Sequence, residues 1–482
     1  MRLRFIQQLP KFRKSKSLFV RFQFTATSST DDPQPNNTIT SRYYTLLHSS
    51  PTLNHLRHLH ARLLRTWLYH DVVLSSKLIS LYSRFNSLHP HSLSVFLHMP
   101  SRNIYSWNIV IGEFSRSHLP HKAVYLFALM RRSAVAPDVY TLPLVLRACA
   151  GSGSVKDGVL AHGLCLKMGA EVSLFVGSAL VFMYITFGKV ADARKVFDEM
   201  LERDLILWTS MLAGYAQQEE PAAGLTLFRE MVECRAELDG VVMVSLLLIC
   251  GQLGLLKEGK SVHGWCVRRS LFIGLSLGNA LIDTYVKCAK LNYSHRVFDQ
   301  IPQRDVISYS AIILGYGLTN NVTTALNLFD SMCVQGIKPN DVTFLGVLSA
   351  CAHGGLVQSA RNYFTMMKNN GIPPELKHYA CMVDCLARAG LVHDAEELVQ
   401  QMPMQPDGAV LGALLSGCRL HGELEVGIRV AKKLIDLEPE KPAYYVLLCN
   451  IYAEAGRFDE AENIREVMRR RSLSKSPAFS SI

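Results

Sequence analysis

No Cys-x-x-Cys occurs in this chain of 482 residues, and its twelve cysteines are scattered. A disulfide-dense secreted scaffold and the usual paired-thiolate zinc site are therefore excluded. Cys149, Cys250 and Cys351 recur at one repeat position, so they read as small apolar helix-packing residues. Charge is scarce too: 19% of residues are charged against 49% apolar, which excludes a disordered chain. The apolar stretch Gly240 to Leu256 runs 17 residues without a charge. That is the short limit for a membrane helix, about 17–25 residues. It holds three glycines and a glutamine and lies in phase with a repeat, so no membrane span is expected.

Residues 1–30 contain no acid but seven bases, Arg2, Arg4, Lys11, Arg13, Lys14, Lys16 and Arg21, with Phe and Leu interleaved. No continuous apolar core follows the positive charge, which excludes a secretory signal. The pattern reads as a disordered organellar transit peptide, with a basic disordered tail as the alternative. Dense Arg and Lys with few Ser before position 25 lean toward the mitochondrion, with the chloroplast as the alternative. A linker at 31–39 would follow. Without the leader, Lys+Arg falls from 51 to 44 against 40 acids, so the net charge falls from +11 to +4. Net charge alone does not identify a nucleic-acid binder here.

What the chain does have is internal repetition. Asp138, Asp239 and Asn340 are spaced by 101 residues, as are Phe127, Phe228 and Phe329, and Phe96, Phe197 and Phe298. Asn103, Asp204 and Asp305 follow the same spacing. The period divides as 35 + 35 + 31. Units of a first kind span 104–138, 205–239 and 306–340, and units of a second kind span 139–173, 240–274 and 341–375. Short units span 174–204 and 275–305. A short unit at 72–103 has one extra residue near His89–His91, an incomplete second-kind unit lies at 40–71, and another short-type unit at 376–407 completes eleven. In 174–204, Leu174, Val176, Ala179, Leu180 and Met183 fall at helical spacing. A Phe-Gly-Lys turn follows at 187–189, and Ala191, Ala193, Val196, Phe197 and Met200 form a second helical face. One such pair cannot bury its apolar face alone. The expected fold is all-α: a right-handed superhelical α-solenoid of helix-turn-helix repeats, its concave face lined by the first helices.

A tetratricopeptide array would keep 34 residues per unit. This chain keeps 35/35/31, with units ending in Pro-Asp, Lys-Pro-Asn or Arg-Asp. It also carries Leu-His-Ala-Arg-Leu-Leu at 59–64, Lys-Val-Phe-Asp-Glu-Met at 195–200 and His-Tyr-Ala-Cys-Met-Val-Asp at 378–384. Over about 40–475 it resembles the plant pentatricopeptide repeat proteins of the mixed-length subfamily. The segments 408–441 and 442–475 look like the two extension motifs that follow the repeats in editing factors, leaving a tail at 476–482. The resemblance implies a non-enzymatic, organellar, single-stranded RNA-binding protein that specifies a cytidine for C-to-U editing. It implies a deaminase supplied in trans by a DYW-type protein, multiple organellar RNA editing factors as further partners, and no cofactor or small-molecule substrate. Transcript stabilisation or processing is the alternative within RNA work, and a protein-binding scaffold the alternative outside it.

Two constellations resemble metal sites. His421-Gly422-Glu423 spells the His-x-Glu of a zinc deaminase, but that chemistry needs two further cysteines and only Cys449 follows. The triplet reads as a helix-connecting turn. His378 with Cys381 and Cys385 lies at helical spacing and reads as packing.

In the family, the fifth and last residues of a unit read one base. Asp offers an acceptor to the imino N–H of uracil or guanine, and Asn can donate to the ring nitrogen of adenine or cytosine. The pairs here are Ser76/Asn103, Asn108/Asp138, Ser178/Asp204, Thr209/Asp239, Asn279/Asp305 and Ser310/Asn340. By the family's code they resemble readers of A, U, G, G, U and A, giving 5′-A-U-n-G-G-n-U-A-n-n-3′. Pro143/Ser173, Val244/Gly274 and Leu345/Glu375 are assigned no base, and Ala380/Asp407 is not decodable by the simple rule. Apolar residues at position two, Val73, Tyr105, Phe175, Ile206 and Ile307, would wedge between bases; the alternative is a core role. Each polar pair taken alone is an ordinary helix-start residue and a turn residue. Recurrence in register is what argues for reading.

Overall fold

A computed structural model describes residues 38–49, 52–85, 90–117, 119–269 and 274–471. The leader at 1–30, most of the linker, the tail at 476–482 and the insertion at His89 lie outside the described residues. Those residues form twenty-six α-helices, one short 3-10 turn and no strand. The chain divides into two compact units, 1–245 and 246–482.

The first unit pairs α1 (Thr38–His48) with α2 (Leu53–Arg65), α3 (Val72–Phe85) with α4 (Pro90–His98), α5 (Ile104–Arg116) with α6 (Pro120–Arg132), α7 (Thr141–Ser152) with α8 (Val155–Met168), α9 (Leu174–Thr186) with α10 (Val190–Glu199), and α11 (Leu205–Gln217) with α12 (Pro221–Glu233). The division falls inside α13 (Gly240–Gln252). The second unit continues with α14 (Leu256–Arg268), α15 (Leu275–Lys287), α16 (Leu291–Gln300), α17 (Val306–Leu318), α18 (Val322–Val334), α19 (Asp341–Gly354) and α20 (Val357–Asn369). It ends with α21 (Leu376–Arg388), α22 (Val392–Gln400), α23 (Gly408–His421), α24 (Leu424–Leu437), α25 (Pro442–Glu454) and α26 (Phe458–Arg470). No helix among the described residues is long and apolar enough to cross a membrane, and the apolar run at Gly240 resolves into a 13-residue helix.

The alternation of lengths has a local cause. Second helices run 13 residues in α6, α12 and α18, but 10 in α10 and α16. About one turn of 3.6 residues is missing from the short units. Helix starts and stops follow ordinary rules. Pro120 and Pro221 sit in first turns, where the absent N–H costs nothing. Gly153, Gly169 and Gly355 end helices with φ near +65°.

Within each compact unit the same joints recur at 101-residue spacing. Phe96 meets Trp107 edge-on at 4.8 Å, Phe197 meets Trp208 at 4.9 Å, and Phe298 meets Tyr309 at 5.0 Å. Over each phenylalanine lies a guanidinium, that of Arg102, Arg203 or Arg304, at 5.0, 4.8 and 4.5 Å. Each Nε donates to the carbonyl of that same phenylalanine at 2.9 Å. The arginine thus closes the end of a short second helix and covers its aromatic joint. Truncating Phe197 to alanine would cost about 3–5 kcal/mol. His60–Tyr82, His162–Tyr184 and His263–Tyr285 hydrogen bonds of 3.0, 2.7 and 2.9 Å join second-kind units to short units. Where first helices approach most closely, side chains vanish. A Cβ on Gly317 would collide with the Gly346 carbonyl oxygen.

Candidate nucleic-acid interface

The last residue of each unit is also the residue that starts the next helix. Asn103, Asp204, Asp305 and Asn340 are N-caps, with side chains accepting from the N–H three residues on. Asp138 and Asp239 accept from the second and third following N–H groups at 2.7–3.1 Å. In all six cases the capping atom is Oδ1. The other terminal atom, Oδ2 in aspartate and Nδ2 in asparagine, takes no hydrogen bond among the described residues. All six are half-buried, so that atom is accessible at the mouth of the helix start.

The fifth residues divide into two groups. Asn108 Nδ2 donates to Asp138 Oδ1 at 3.3 Å, Asn279 Nδ2 donates to Asp305 Oδ1 at 3.2 Å, and Ser310 Oγ donates to Asn340 Oδ1 at 3.0 Å. These three pairs are joined. Thr209 Oγ1 donates to the Leu205 carbonyl at 2.6 Å, as Ser310 Oγ also does to the Val306 carbonyl at 2.6 Å, but no hydrogen bond links Thr209 to Asp239 or Ser178 to Asp204 among the described residues. Ser76 is buried, and its Oγ has no partner among the described residues.

A residue not singled out in the sequence accompanies each joined pair. The third residue of the following unit is a hydroxyl in the joined pairs. Thr141 Oγ1 donates to Asn108 Oδ1 at 2.7 Å and Ser308 Oγ donates to Asn279 Oδ1 at 2.6 Å. Thr343 Oγ1 lies 2.8 Å from Ser310 Oγ. After Asp204 and Asp239 the equivalent residues are Leu207 and Val242, which have no hydroxyl to offer, and after Asn103 it is Ser106, whose hydroxyl donates to the Asn103 carbonyl at 2.8 Å and leaves Ser76 unjoined. The available signal was the capping box, which pairs Asp305 with Ser308 and Asn340 with Thr343.

The Asp305 carboxyl shows the electrostatics. Burial alone would raise it, but the Ser308 N–H and hydroxyl and the Asn279 amide outweigh burial and hold it below the ordinary carboxylate range. It is an ionised acceptor with one oxygen engaged and one outward.

Position two is exposed. Phe175 is 62% and Ile307 56% accessible, Tyr105 and Ile206 are also exposed, and Val73 is half-buried. For the exposed four, the core role falls away. Pro143, Val244, Leu345 and Ala380 occupy fifth positions half-buried and offer no polar group, while Asp407 caps α23 through Oδ1. No group of three or more potential metal ligands exists among the described residues. His378 accepts from the Glu375 N–H at 3.0 Å and reaches the Asp341 carbonyl at 2.9 Å, so both ring nitrogens serve the backbone. Burial pushes the Cys381 and Cys385 thiols up to about 11, away from the thiolate form a metal needs. His421 ends α23, Gly422 turns at φ +73°, and α24 begins two residues later. That triplet is a turn.

Comparison with known proteins gives a consistent result. A PPR repeat family model matches residues 102–151 and 304–353, and a PPR repeat model matches 178–205, 206–235, 342–372 and 378–405. An E motif model matches 421–482. A pentatricopeptide repeat-containing protein of Arabidopsis thaliana is 56% identical over 469 residues, 97% of each chain. Another from that plant, named mitochondrial, is 39% identical over 84% of this chain and 64% of its own. CRR2, named chloroplastic, is 36% identical over 89% and 66%. The crystal structure of the pentatricopeptide repeat protein PPR10 in complex with an 18-nt psaJ RNA element superposes with a TM-score of 0.66 at 17% identity. That match covers 89% of this chain and 64% of the PPR10 chain, and it establishes the repeat fold. The matched models describe PPR repeats and an E motif.

Proposed function

Because the chain belongs to the pentatricopeptide repeat family, we propose that it binds single-stranded organellar RNA base by base and specifies a cytidine for C-to-U editing. The deaminase would come in trans from a DYW-type protein, together with multiple organellar RNA editing factors. The reading divides 40–407 into eleven repeats and assigns 408–475 to the extension. Mitochondrial and chloroplastic relatives support an organelle, and the Arg-rich leader favours the mitochondrion. The E motif match supports editing over simple occupancy of a transcript.

One observation carries the reading: at Asn108/Asp138 and Asn279/Asp305 a half-buried fifth-position asparagine is tied to a capping aspartate and steadied by a hydroxyl from the next unit, while the aspartate's Oδ2 takes no hydrogen bond among the described residues. At Asn279/Asp305 the outward groups are Asp305 Oδ2, an acceptor, and the second amide hydrogen of Asn279, a donor. Uracil offers a donor at N3 and an adjacent carbonyl acceptor, the complementary pattern. At Ser310/Asn340 the outward atom is Nδ2, a donor suited to adenine N1, and the small serine leaves space for the purine. Exposed Tyr105, Phe175, Ile206 and Ile307 would separate the bases. Six contacts at roughly 1–3 kcal/mol each, reduced by ordering costs, are enough for site-specific recognition.

Asn279→Thr should shift preference at one base from U toward G. Gel-shift binding to RNAs varied only there tests this, and unchanged preference would refute the base assignment. Editing compared across all organellar transcripts in a loss-of-function plant tests the second half. If no cytidine lost editing, protection of a transcript by occupancy would replace it.

A further inference from the structure

The body's net charge is not spread along the chain. Residues 31–112 hold seven Lys and Arg and three acids, Asp31, Asp32 and Asp71, whereas residues 113–482 hold 37 of each sign. Among the described residues, the first ion pair along the chain is that of Arg194. The excess positive charge therefore lies toward the amino-terminal end, and no ion pair engages it there among the described residues.

Its densest part is α2. Leu56, Leu59 and Leu63 are buried, and the opposite face presents Arg57, Arg62 and Arg65. The turn that follows is unusual. Trp67 is 71% exposed, while the other three tryptophans, Trp107, Trp208 and Trp265, are at most 8% exposed. Trp67 also has φ +59°, in the left-handed region. The residues four before the end of other 35-residue units share that backbone, but they are Gly169, Gly336 and Gly371, or Ala134 and Arg235. A bulky aromatic is disfavoured there, and nothing in the core gains from it. One face of its ring stacks on His70 at 5.9 Å and 13°, and Tyr69 lies 3.9 Å from His70. Tyr69 also stands 6.1 Å from the indole, tilted by 37°, and the rest of the ring is exposed. Asp71, four residues after Trp67, caps α3 through Oδ1, as the readers do.

We propose that Arg57, Arg62, Arg65 and Trp67, with Tyr69 and His70 behind the indole, form a sequence-tolerant platform for single-stranded RNA just 5′ of the first read base. The arginines hold phosphates and the exposed indole stacks one base. Flat aromatic faces beside unpaired cations suit unpaired nucleotides of any sequence. The 5′ placement rests on the reading proposed above; the platform's chemistry does not.

The test uses the full chain and three RNAs: the predicted ten-nucleotide target alone, the target with four uridines at its 5′ end, and the target with four abasic phosphodiester units there. The uridine extension should tighten binding at least about five-fold, the lower end for one base–aromatic stack. The abasic extension should give part of that gain. Trp67→Gly, which suits the left-handed backbone, should keep the abasic gain and lose the rest. Arg57→Gln, Arg62→Gln and Arg65→Gln combined should lose both gains and flatten the log–log salt dependence by about 2, at about 0.7 per phosphate. Equal gains in wild type and variants would overturn the platform. Tryptophan fluorescence gives an independent readout, because Trp67 is the one exposed indole among the described residues. Oligouridine should quench it whether or not the target is preferred over a scrambled sequence, so loss of that preference refutes the base-by-base reading alone. Quenching by anionic phosphatidylserine vesicles but not by oligouridine would make the patch a membrane contact and overturn the RNA assignment.

Discussion

Replacing Asp305 by asparagine and by alanine separates two roles held by one side chain. Oδ1 caps α17 through the Ser308 N–H at 2.9 Å and accepts from Asn279 Nδ2 at 3.2 Å. Alanine removes both. The lost cap costs about 1 kcal/mol. The half-buried Asn279 amide, partly rescued by water, adds about 0.5–1 kcal/mol. Asparagine keeps Oδ1 and both bonds. It loses only the charge at a helix start, about 0.3–1 kcal/mol. On RNA the order reverses. Alanine removes discrimination at one base, whereas asparagine turns the outward acceptor into a donor and should move preference from U to C. The swing expected for such a contact is about 1–3 kcal/mol. Urea unfolding measures the first effect, and anisotropy with RNAs differing at one base measures the second. Because the Asp305 carboxyl is held low, the stability it confers is complete above the ordinary carboxylate pKa of about 3.9 and is lost as pH falls through its lower folded value. The asparagine variant should therefore gain on wild type only in acid. If asparagine destabilises as much as alanine and U is still preferred, the residue is a cap and not a reader.

Ser308→Ala should release the Asn279 amide, whose oxygen it holds at 2.6 Å, and weaken U-over-C discrimination at that base by about 1 kcal/mol while leaving the neighbouring bases unaffected; the same anisotropy series reads it. Glu113 is buried and accepts from Ser92 at 3.2 Å. Burial raises its carboxyl more than Ser83, Ser92 and Arg116 lower it. A raised carboxyl stabilises fully below its unfolded pKa of about 4.3, and that stability is lost as pH rises through the folded value. Glu113→Gln should therefore be more stable than wild type at pH 7.5 and not at pH 4, as thermal unfolding at the two values would show. Burial pushes Cys149, Cys250 and Cys351 up to about 12, so iodoacetamide at pH 8 should label exposed Cys234 in the folded protein and these three only after unfolding, by mass spectrometry.

The helix pairs were legible because apolar spacing and a 101-residue period are one-dimensional signals. Phe197 and Met200 were placed in the core from spacing alone, and both are buried. What the sequence hid is geometry across units. Arg102, Arg203 and Arg304 repeat at the same spacing as the phenylalanines they cover, yet as exposed-looking cations next to Asn or Asp they resembled surface charge. Thr141, Ser308 and Thr343 lie about thirty residues from the fifth-position side chains they orient, so no local pattern joins them. Trp67 fell in the incomplete first unit, where no counterpart existed to show that a glycine position had been filled by an indole.

The unit-ending residues, six of them paired with a polar fifth residue, are by themselves weak witnesses to recognition, and the joined pairs are the stronger ones. A helix start selects Asn, Asp, Ser or Thr for capping alone. Ser173, Gly274, Glu375 and Asp407 occupy N-cap positions in units to which no base is assigned. Recurrence of Asp and Asn there is explained by folding before RNA is considered. The fifth position is different. It lies inside the first turns of a helix, where asparagine is less favourable than alanine by up to about 0.7 kcal/mol. Neighbouring units fill it with Pro143, Val244, Leu345 or Ala380 and fold equally well. Asn108 and Asn279 stand there half-buried, each tied to an aspartate already committed to a cap and each steadied by a hydroxyl from the next unit. Capping does not ask for that asparagine, and packing does not either. The weight of the recognition argument therefore rests on the fifth residue and its hydroxyl, and the unit-ending aspartate becomes a reader only in their company.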